Sequence, residues 1–298
     1  MNTICRDFEN EGRSRLGVRA RKFLYAGNLT GSTVQIYDIT NRTAPVHIGQ
    51  FGGTEELAAP CGMAITGNVL YVVNAGDHTV EIYNISNPAA PVRVSQFGGV
   101  GELVNPNAIM ITGNTMYVTN LLANNVEIYN IANPLAPVRV GEFGSAAELN
   151  NPNGLAITGS TLYVSSAFPN PSGNLIEIYD ISNPLAPAHV SGFGAGELVH
   201  PIGLAITGTT LYAANFDTNV VDIYNISNPL APVNVTEFGS SDLNRPIEMA
   251  ITGSILYVAN NGDSTIELYD ILNPVSPVHV GEFNGQHLSS PFGLVITP

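Results

Sequence analysis

The stretch LYVVNAGDHTVEIYNISNPAAPVRVSQFG at residues 70–98 returns with few changes as LYVANNGDSTIELYDILNPVSPVHVGEF at 256–283. The same order of motifs occurs six times, in the segments 24–69, 70–115, 116–161, 162–210, 211–255 and 256–298. Each copy holds four short runs rich in Val, Ile, Tyr and Thr, separated by Gly, Pro and Asn, which is the pattern of four strands. Four strands in a repeat of this length predict the blade of a β-propeller.

The order of the strands within a blade follows from their composition. The GLAITG motif is rich in small residues, which suits the innermost strand near the crowded axis. The second, third and outermost strands are then LYVxN, VEIYxI and PVxVxxFG. The outermost motif begins with a proline, which an edge strand tolerates because it needs no hydrogen-bond donor there. The first copy opens on a second strand at 24–28, and the last copy ends on an innermost strand at 293–297. We therefore predict an all-β, six-bladed propeller over 24–298, with four antiparallel strands per blade, closed by pairing of 293–297 with 24–28.

Charge is scarce and unevenly distributed. Only 11% of residues are charged and the formal net charge is −14. The basic segment 1–23 carries six basic against three acidic residues, and we expect it to be irregular or partly disordered. The remaining body is strongly acidic, so we expect neither nucleic acid nor an anionic membrane surface as a partner.

The run VEIYNIANPLAPVRVGEF at 126–143 resembles the LVIVD repeat, while LYVxN is similar to the YVTN type of propeller repeat and Pro-x-Gly-Leu-Ala-Ile to NHL-type blades. The resemblance covers 24–298 and implies the propeller fold. It brings no catalytic motif with it, and it implies a bacterial secreted or cell-surface protein. The chain as given has no apolar core of a signal peptide and no apolar run of membrane-spanning length, so the compartment stays open and no membrane insertion is expected.

Two sets of polar residues recur with the repeat. The middle of each outermost strand carries a polar side chain that we expect to face solvent: His47, Arg93, Arg139, His189, Asn234 and His279. The loop before five of the innermost strands carries an acidic residue: Glu56, Glu102, Glu148, Glu197 and Asp242. In the sixth loop the equivalent residue is His287. These acids either form a ring that attracts cations or are simply solvated, and the second interpretation is favoured because charged surface residues usually only solvate.

A candidate metal site comes from positions that differ between copies. Glu248 stands where the other innermost strands have Gly or Ala, and Asn107 and Asn153 lie one position earlier in their own strands. A carboxylate with amide oxygens suits Ca²⁺. Six-bladed hydrolases of the gluconolactonase and phosphotriesterase type are similar in this respect, but they need a further acid that the matching positions lack. Glu248 could instead fill space or pair with Arg245.

The remaining deviations predict a binding face made of the loops around the channel mouth. Its candidate residues are His200, Arg245, His287, Phe168, Phe216, Phe292, Asp77, Asp217 and Asp263, together with the long loop 166–174. The favoured function is therefore a monomeric, non-enzymatic scaffold that binds a protein or glycan and needs no cofactor. The alternative is a calcium-dependent hydrolase of the lactonase or esterase kind. Pairing of Cys5 with Cys61 is left open.

Overall fold

A computed structural model describes residues 21–168, 175–284 and 286–298. These residues form 24 strands arranged as six four-stranded antiparallel sheets, and the described ranges contain no helix. There is accordingly no helix in them that is long and apolar enough to cross a membrane. The six-bladed propeller predicted from the repeat is confirmed. The basic segment lies outside the described residues up to position 20.

The first three blades have the following strands. Blade 1 contains β1 (Phe23–Asn28), β2 (Thr33–Asp38) and β3 (Val46–Gly52). Blade 2 contains β4 (Pro60–Thr66), β5 (Val69–Asn74), β6 (Thr79–Asn84) and β7 (Val92–Gly98). Blade 3 contains β8 (Pro106–Thr112), β9 (Thr115–Asn120), β10 (Asn125–Asn130) and β11 (Val138–Phe143).

The other three blades repeat this order. Blade 4 contains β12 (Pro152–Thr158), β13 (Thr161–Ser166), β14 (Ile176–Asp180) and β15 (Ala188–Phe193). Blade 5 contains β16 (Pro201–Thr207), β17 (Thr210–Asn215), β18 (Val220–Asn225) and β19 (Val233–Phe238). Blade 6 contains β20 (Pro246–Thr252), β21 (Ile255–Asn260), β22 (Thr265–Asp270) and β23 (Val278–Asn284), and β24 (Pro291–Ile296) follows it.

The two ends of the chain close the ring. Strand β24 pairs with β1 and supplies the innermost strand of blade 1, with Tyr25 opposite Val295 and Leu24 opposite Ile296. Beyond the strand, the Phe23 backbone N–H donates to the Thr297 hydroxyl at 2.9 Å. The predicted closure is confirmed. Strand β1 begins one residue before the predicted 24–28, and β24 begins two residues before and ends one residue before the predicted 293–297.

The hydrophobic core lies between the blades rather than within one sheet. Six clusters of buried residues each combine side chains from two adjacent blades, and the cluster of blades 6 and 1 includes Leu24, Tyr257 and Leu294. A phenylalanine of each outermost strand also packs on a third-strand tyrosine of the next blade, as Phe51 does on Tyr83 with ring centroids 4.7 Å apart. A single blade therefore cannot bury its own apolar surface.

Hydrogen bonds join the blades in a second ring. The tyrosine of each second strand donates its hydroxyl to a carbonyl in the third-to-fourth-strand loop of the next blade. The acceptor is the Pro carbonyl of the Asn-Pro turn in five cases, for example Tyr25 to Pro88 at 2.7 Å. Across the closure, Tyr257 donates to the carbonyl of Arg42, the equivalent residue, at 2.6 Å.

We predict that Tyr257→Phe destabilises the protein, because it leaves the Arg42 carbonyl without its donor at the seam between blades 6 and 1. The free energy of unfolding should fall by about 1–2 kcal/mol in urea denaturation. Tyr269→Phe is the matched control, since the Tyr269 hydroxyl is buried and has no hydrogen-bond partner among the described residues. Equal losses in the two variants would show that the inter-blade bond contributes nothing.

Candidate functional site

The loops around the channel mouth form one face of the propeller, which we call the loop face, and in each blade one residue of this face has a strained backbone conformation. The residue before the proline of every innermost strand has a positive φ, as at Asn151 (58°), His200 (57°) and Arg245 (56°). Asn tolerates this left-handed conformation better than most other side chains. The position is held from the preceding blade: the Arg245 N–H donates to the Asn219 side-chain oxygen at 2.8 Å, and the Asn151 N–H to that of Asn124 at 2.9 Å. His200 and Arg245 thus stand at fixed points on the loop face.

Four of the predicted binding-face residues contact one another in a row across blades 4, 5 and 6, and we call them the aromatic cluster: Phe168, His200, Phe216 and Arg245. The ring of His200 lies 5.8 Å from that of Phe168 at an interplanar angle of 21°, and 5.2 Å from that of Phe216. The Arg245 guanidinium lies over the Phe216 ring, 5.5 Å from its centroid, in a cation–π arrangement. Asp217 accepts a hydrogen bond from the His200 ring at 3.3 Å.

A groove of about 440 Å³ lies beside the aromatic cluster. Its walls are largely apolar, with Leu198 and Val199 facing Phe168, and His200 and Asp217 form its polar part. Phe168 is 51% exposed. Residues 169–174 of the long loop lie outside the described residues.

The other predicted binding-face residues lie apart from this cluster. Asp77 accepts a hydrogen bond from the side chain of Asn74 at the end of β5, and Asp263 accepts one at 2.9 Å from Asn244 in the loop before β20. His287 stacks on His47 with ring centroids 3.8 Å apart, at the rim of blade 1. Burial, and secondarily the neighbouring His287, lowers the pKa of His47.

The channel mouth is a separate cavity of about 480 Å³ that Asn107, Asn153 and Phe292 line together with apolar residues. The Asn107 amide donates to the Asn153 side-chain oxygen, and both side chains are buried. Cys61 also lines the mouth; it is buried, its thiol contacts the Ala59 carbonyl at 3.3 Å, and burial raises its pKa to about 12. Cys5 lies outside the described residues.

Glu248 lies in the channel itself. It lines a different cavity, of about 300 Å³, and accepts a hydrogen bond from the Met249 N–H at 3.0 Å. Arg245, considered above as its partner, is instead placed over Phe216. Burial raises the pKa of Glu248 to about 7. The three residues of the candidate calcium site thus line two cavities, and among the described residues no three His, Cys, Asp or Glu side chains gather into a metal-binding group.

The polar residues of the outermost strands have a role that the sequence analysis missed. Each of them contacts a polar, almost fully buried side chain of the third strand, two residues before the tyrosine that is its register partner: Gln35–His47, Glu81–Arg93, Glu127–Arg139, Glu177–His189, Asp222–Asn234 and Glu267–His279. Arg93, Arg139, His189 and His279 are exposed and His47 and Asn234 are half-exposed, so these residues face solvent and in addition contact a buried polar group. The clue in the sequence is that Glu, Asp or Gln, each able to accept a hydrogen bond, stands twelve positions before every one of them.

The acids of the loops before the innermost strands also serve the blade. Glu148 and Glu197 accept hydrogen bonds from Tyr179 and Tyr224 at 3.2 and 3.1 Å, and Glu56 accepts one from Tyr83 at 3.4 Å. These carboxylates are therefore tied to the third strands rather than free to converge on a cation.

Comparisons with known proteins agree with this architecture. Residues 60–97, which form blade 2, match the model of the LVIVD repeat. The chain is therefore a six-bladed β-propeller in which blade 2 matches the LVIVD repeat. A search of curated protein sequences found no match to it.

The three solved structures that follow share 12–17% identity with this chain, so they show the fold alone. A functionally unknown protein from Desulfotomaculum acetoxidans superposes with a TM-score of 0.66 at 17% identity, over 93% of this chain and 85% of that one. A chain of a nidogen/laminin complex superposes with a TM-score of 0.68 at 14% identity, over 92% of this chain and 98% of that one. A putative 6-phosphogluconolactonase from Bacteroides fragilis superposes with a TM-score of 0.69 at 12% identity, over 95% of this chain and 99% of that one.

The buried Asp222 of blade 5 leads to a pH-dependent prediction. Burial raises its pKa from 3.8 to about 6, because its polar contacts are the neutral side chains of Asn234 and Asn215. The native state therefore binds its proton more tightly than the unfolded state, and this contribution to stability is lost as the pH rises from about 4 through 6. Asp222→Asn should raise the free energy of unfolding by about 1–2 kcal/mol at pH 8 and change it little at pH 4.

The measurement is urea denaturation at both pH values. Asp180→Asn is the control, because Asp180 is exposed and hydrogen bonds from Ser182 lower its pKa, so that variant should show no gain at pH 8. A gain from Asp222→Asn that is equal at both pH values would contradict the assigned cause.

Proposed function

We propose that this propeller recognises a protein or glycan partner through the aromatic cluster and its groove, without catalysing a reaction. The observation that carries the proposal is the gathering of residues that break the repeat. Phe168, His200, Phe216, Asp217 and Arg245 come from three successive blades and meet in one patch, whereas the polar residues shared by the copies are engaged within the blades.

The chemistry of the patch supports binding. Aromatic and arginine side chains are enriched among residues that dominate binding energy, because they bury large areas with few rotatable bonds. An exposed phenylalanine next to an apolar groove gives the folded protein no evident stability. His200 and Arg245 occupy a position that has positive φ in all six blades, where Asn is tolerated better than a bulky side chain, so the fold itself does not favour these two residues there.

The hydrolase alternative has less support. The likeness to a putative 6-phosphogluconolactonase is at the level of the fold, and fold alone does not carry an activity. A calcium-activated reaction would need the carboxylate of Glu248 and the amides of Asn107 and Asn153 at one ion, and they line different cavities.

The proposal is tested by screening the purified protein against a glycan array and an array of synthetic peptides, then measuring the affinity for each hit. The double variant Phe168→Ala/Phe216→Ala should weaken binding at least tenfold, which corresponds to about 1.4 kcal/mol. Leu122→Ala is the matched control, because Leu122 is an exposed apolar residue at the position of Phe168 in blade 3. It should leave the affinity unchanged.

Three results would contradict the proposal. They are the absence of any hit on both arrays, binding that the double variant retains in full, and turnover of a lactone or ester that requires added calcium and is lost in Glu248→Gln.

A further inference from the structure

The central channel is an apolar cavity with a single ionisable group. It is lined by residues of the innermost strands, which are glycine, alanine and larger aliphatic residues; the larger side chains, such as Met63, Ile109, Leu155 and Leu204, also belong to the core between the blades. Glu248 is the one residue of this lining with a charged or polar side chain. The strands packed beside β20 present Leu204 on β16 and Leu294 on β24, so no second titratable group of the lining faces the carboxylate.

Glu248 stands at a position that the fold reserves for the smallest residues. A Cβ on Gly62, its equivalent in blade 2, would come within 2.6 Å of the Asn107 carbonyl oxygen of the next innermost strand. Gly154, Gly203 and Gly293 face the neighbouring backbone at least as closely. The close approach of the innermost strands therefore explains glycine or alanine at this level, and it gives no structural reason for a glutamate.

The Glu248 side chain is half-buried, and its carboxylate has no charged partner in the part of the chain that the structure describes. It accepts one hydrogen bond, from the Met249 N–H, and no lysine, arginine or histidine of the described residues forms an ion pair with it. Its desolvation is reflected in a pKa of about 7. An ionised carboxylate in such surroundings costs free energy until a cation reaches it.

We propose that the channel binds a small organic ammonium ion, whose charged nitrogen contacts the Glu248 carboxylate and whose hydrocarbon part packs against the channel walls. The side chains favour this ligand over a hard metal ion, because Ca²⁺ takes six to eight oxygen ligands and Glu248 is the only residue of the lining whose side chain carries oxygen. A cavity of about 300 Å³ lies at the small end of ligand pockets and accommodates roughly ten non-hydrogen atoms.

This site is independent of the aromatic cluster. The channel cavity and the groove beside the aromatic cluster share no lining residue. Cys61, Asn107 and Asn153, which directly follow the proline that begins their innermost strands, line the channel mouth and not the channel cavity. A ligand in the channel would neither require nor exclude a partner on the loop face.

The test uses n-butylammonium chloride as the probe, titrated into the full chain by calorimetry at pH 8 and at pH 5.5. The wild-type protein should bind it at pH 8 and at least tenfold more weakly at pH 5.5, where the carboxylate is protonated. Glu248→Gln should lose at least tenfold in affinity at pH 8. Glu55→Gln, which removes a charge from an exposed loop, is the control and should bind as the wild type does.

Two further measurements separate a lost site from a lost fold. In the absence of ligand, Glu248→Gln should melt at the same temperature as the wild type or higher, because it removes a desolvated charge. In the wild-type protein, the probe should raise the melting temperature at pH 8 but not at pH 5.5. n-Butanol and butyrate, which lack the positive charge, should not bind.

The proposal is overturned if n-butylammonium does not bind the wild-type protein at pH 8, or if Glu248→Gln binds it equally well. Binding of calcium chloride that depends on Glu248, without binding of the ammonium probe, would overturn it in favour of a metal site. None of these results bears on the arrays that test the loop face.

Discussion

Everything in this propeller depends on closing the ring with the two ends of the chain. Six blades need six interfaces, and the last can form only when β24 pairs with β1 and completes blade 1. That pairing brings Tyr257 to the Arg42 carbonyl and buries Leu24 and Leu294 between blades 6 and 1. Because each core cluster is shared by two blades, an open ring would leave two apolar faces in water.

The closed ring separates residues that serve the fold from residues that are free to do something else. The second-strand tyrosines join neighbouring blades, the buried acids of the third strands contact the outermost strands, and the loop acids of three blades bind tyrosine hydroxyls. These contacts recur because the blades recur. Side chains that break the pattern are outside this network, and those on which the two proposals rest are the aromatic cluster on the loop face and Glu248 in the channel.

The fold could be predicted from the sequence because it is periodic. The number of repeats predicts the number of blades, and the composition of each strand predicts its place in the blade. The strand types at the two ends of the chain predict how the ring closes. The contacts of polar residues could not be predicted in the same way, since they depend on which side chains face each other across strands. His189 was expected only to face solvent, yet its ring meets the buried Glu177. The available clue was a hydrogen-bond acceptor, Glu, Asp or Gln, twelve positions before each of these outer residues.

The candidate sites were predictable in part for the same reason. Deviation from the repeat identified Phe168, His200, Phe216 and Arg245, but their contact depends on how loops of three blades converge. Deviation also identified Glu248, Asn107 and Asn153 and suggested that they act together. In the structure the asparagines line the mouth and the glutamate lines the adjoining channel cavity, so the calcium site stays a prediction. The sequence shows which residues differ between the repeats, and only the structure shows which of their side chains lie close to one another.

The central claim is that repeat-shared polar residues hold the fold while the deviating residues do not. A systematic alanine scan of thermal stability tests it most directly. Substitutions at Tyr163, Glu81 and Arg139 should each lower the melting temperature by several degrees, and substitutions at Phe168, His200, Phe216 and Arg245 should leave it within about two degrees or raise it. A loss of stability at the aromatic cluster as large as that at the shared positions would contradict the claim.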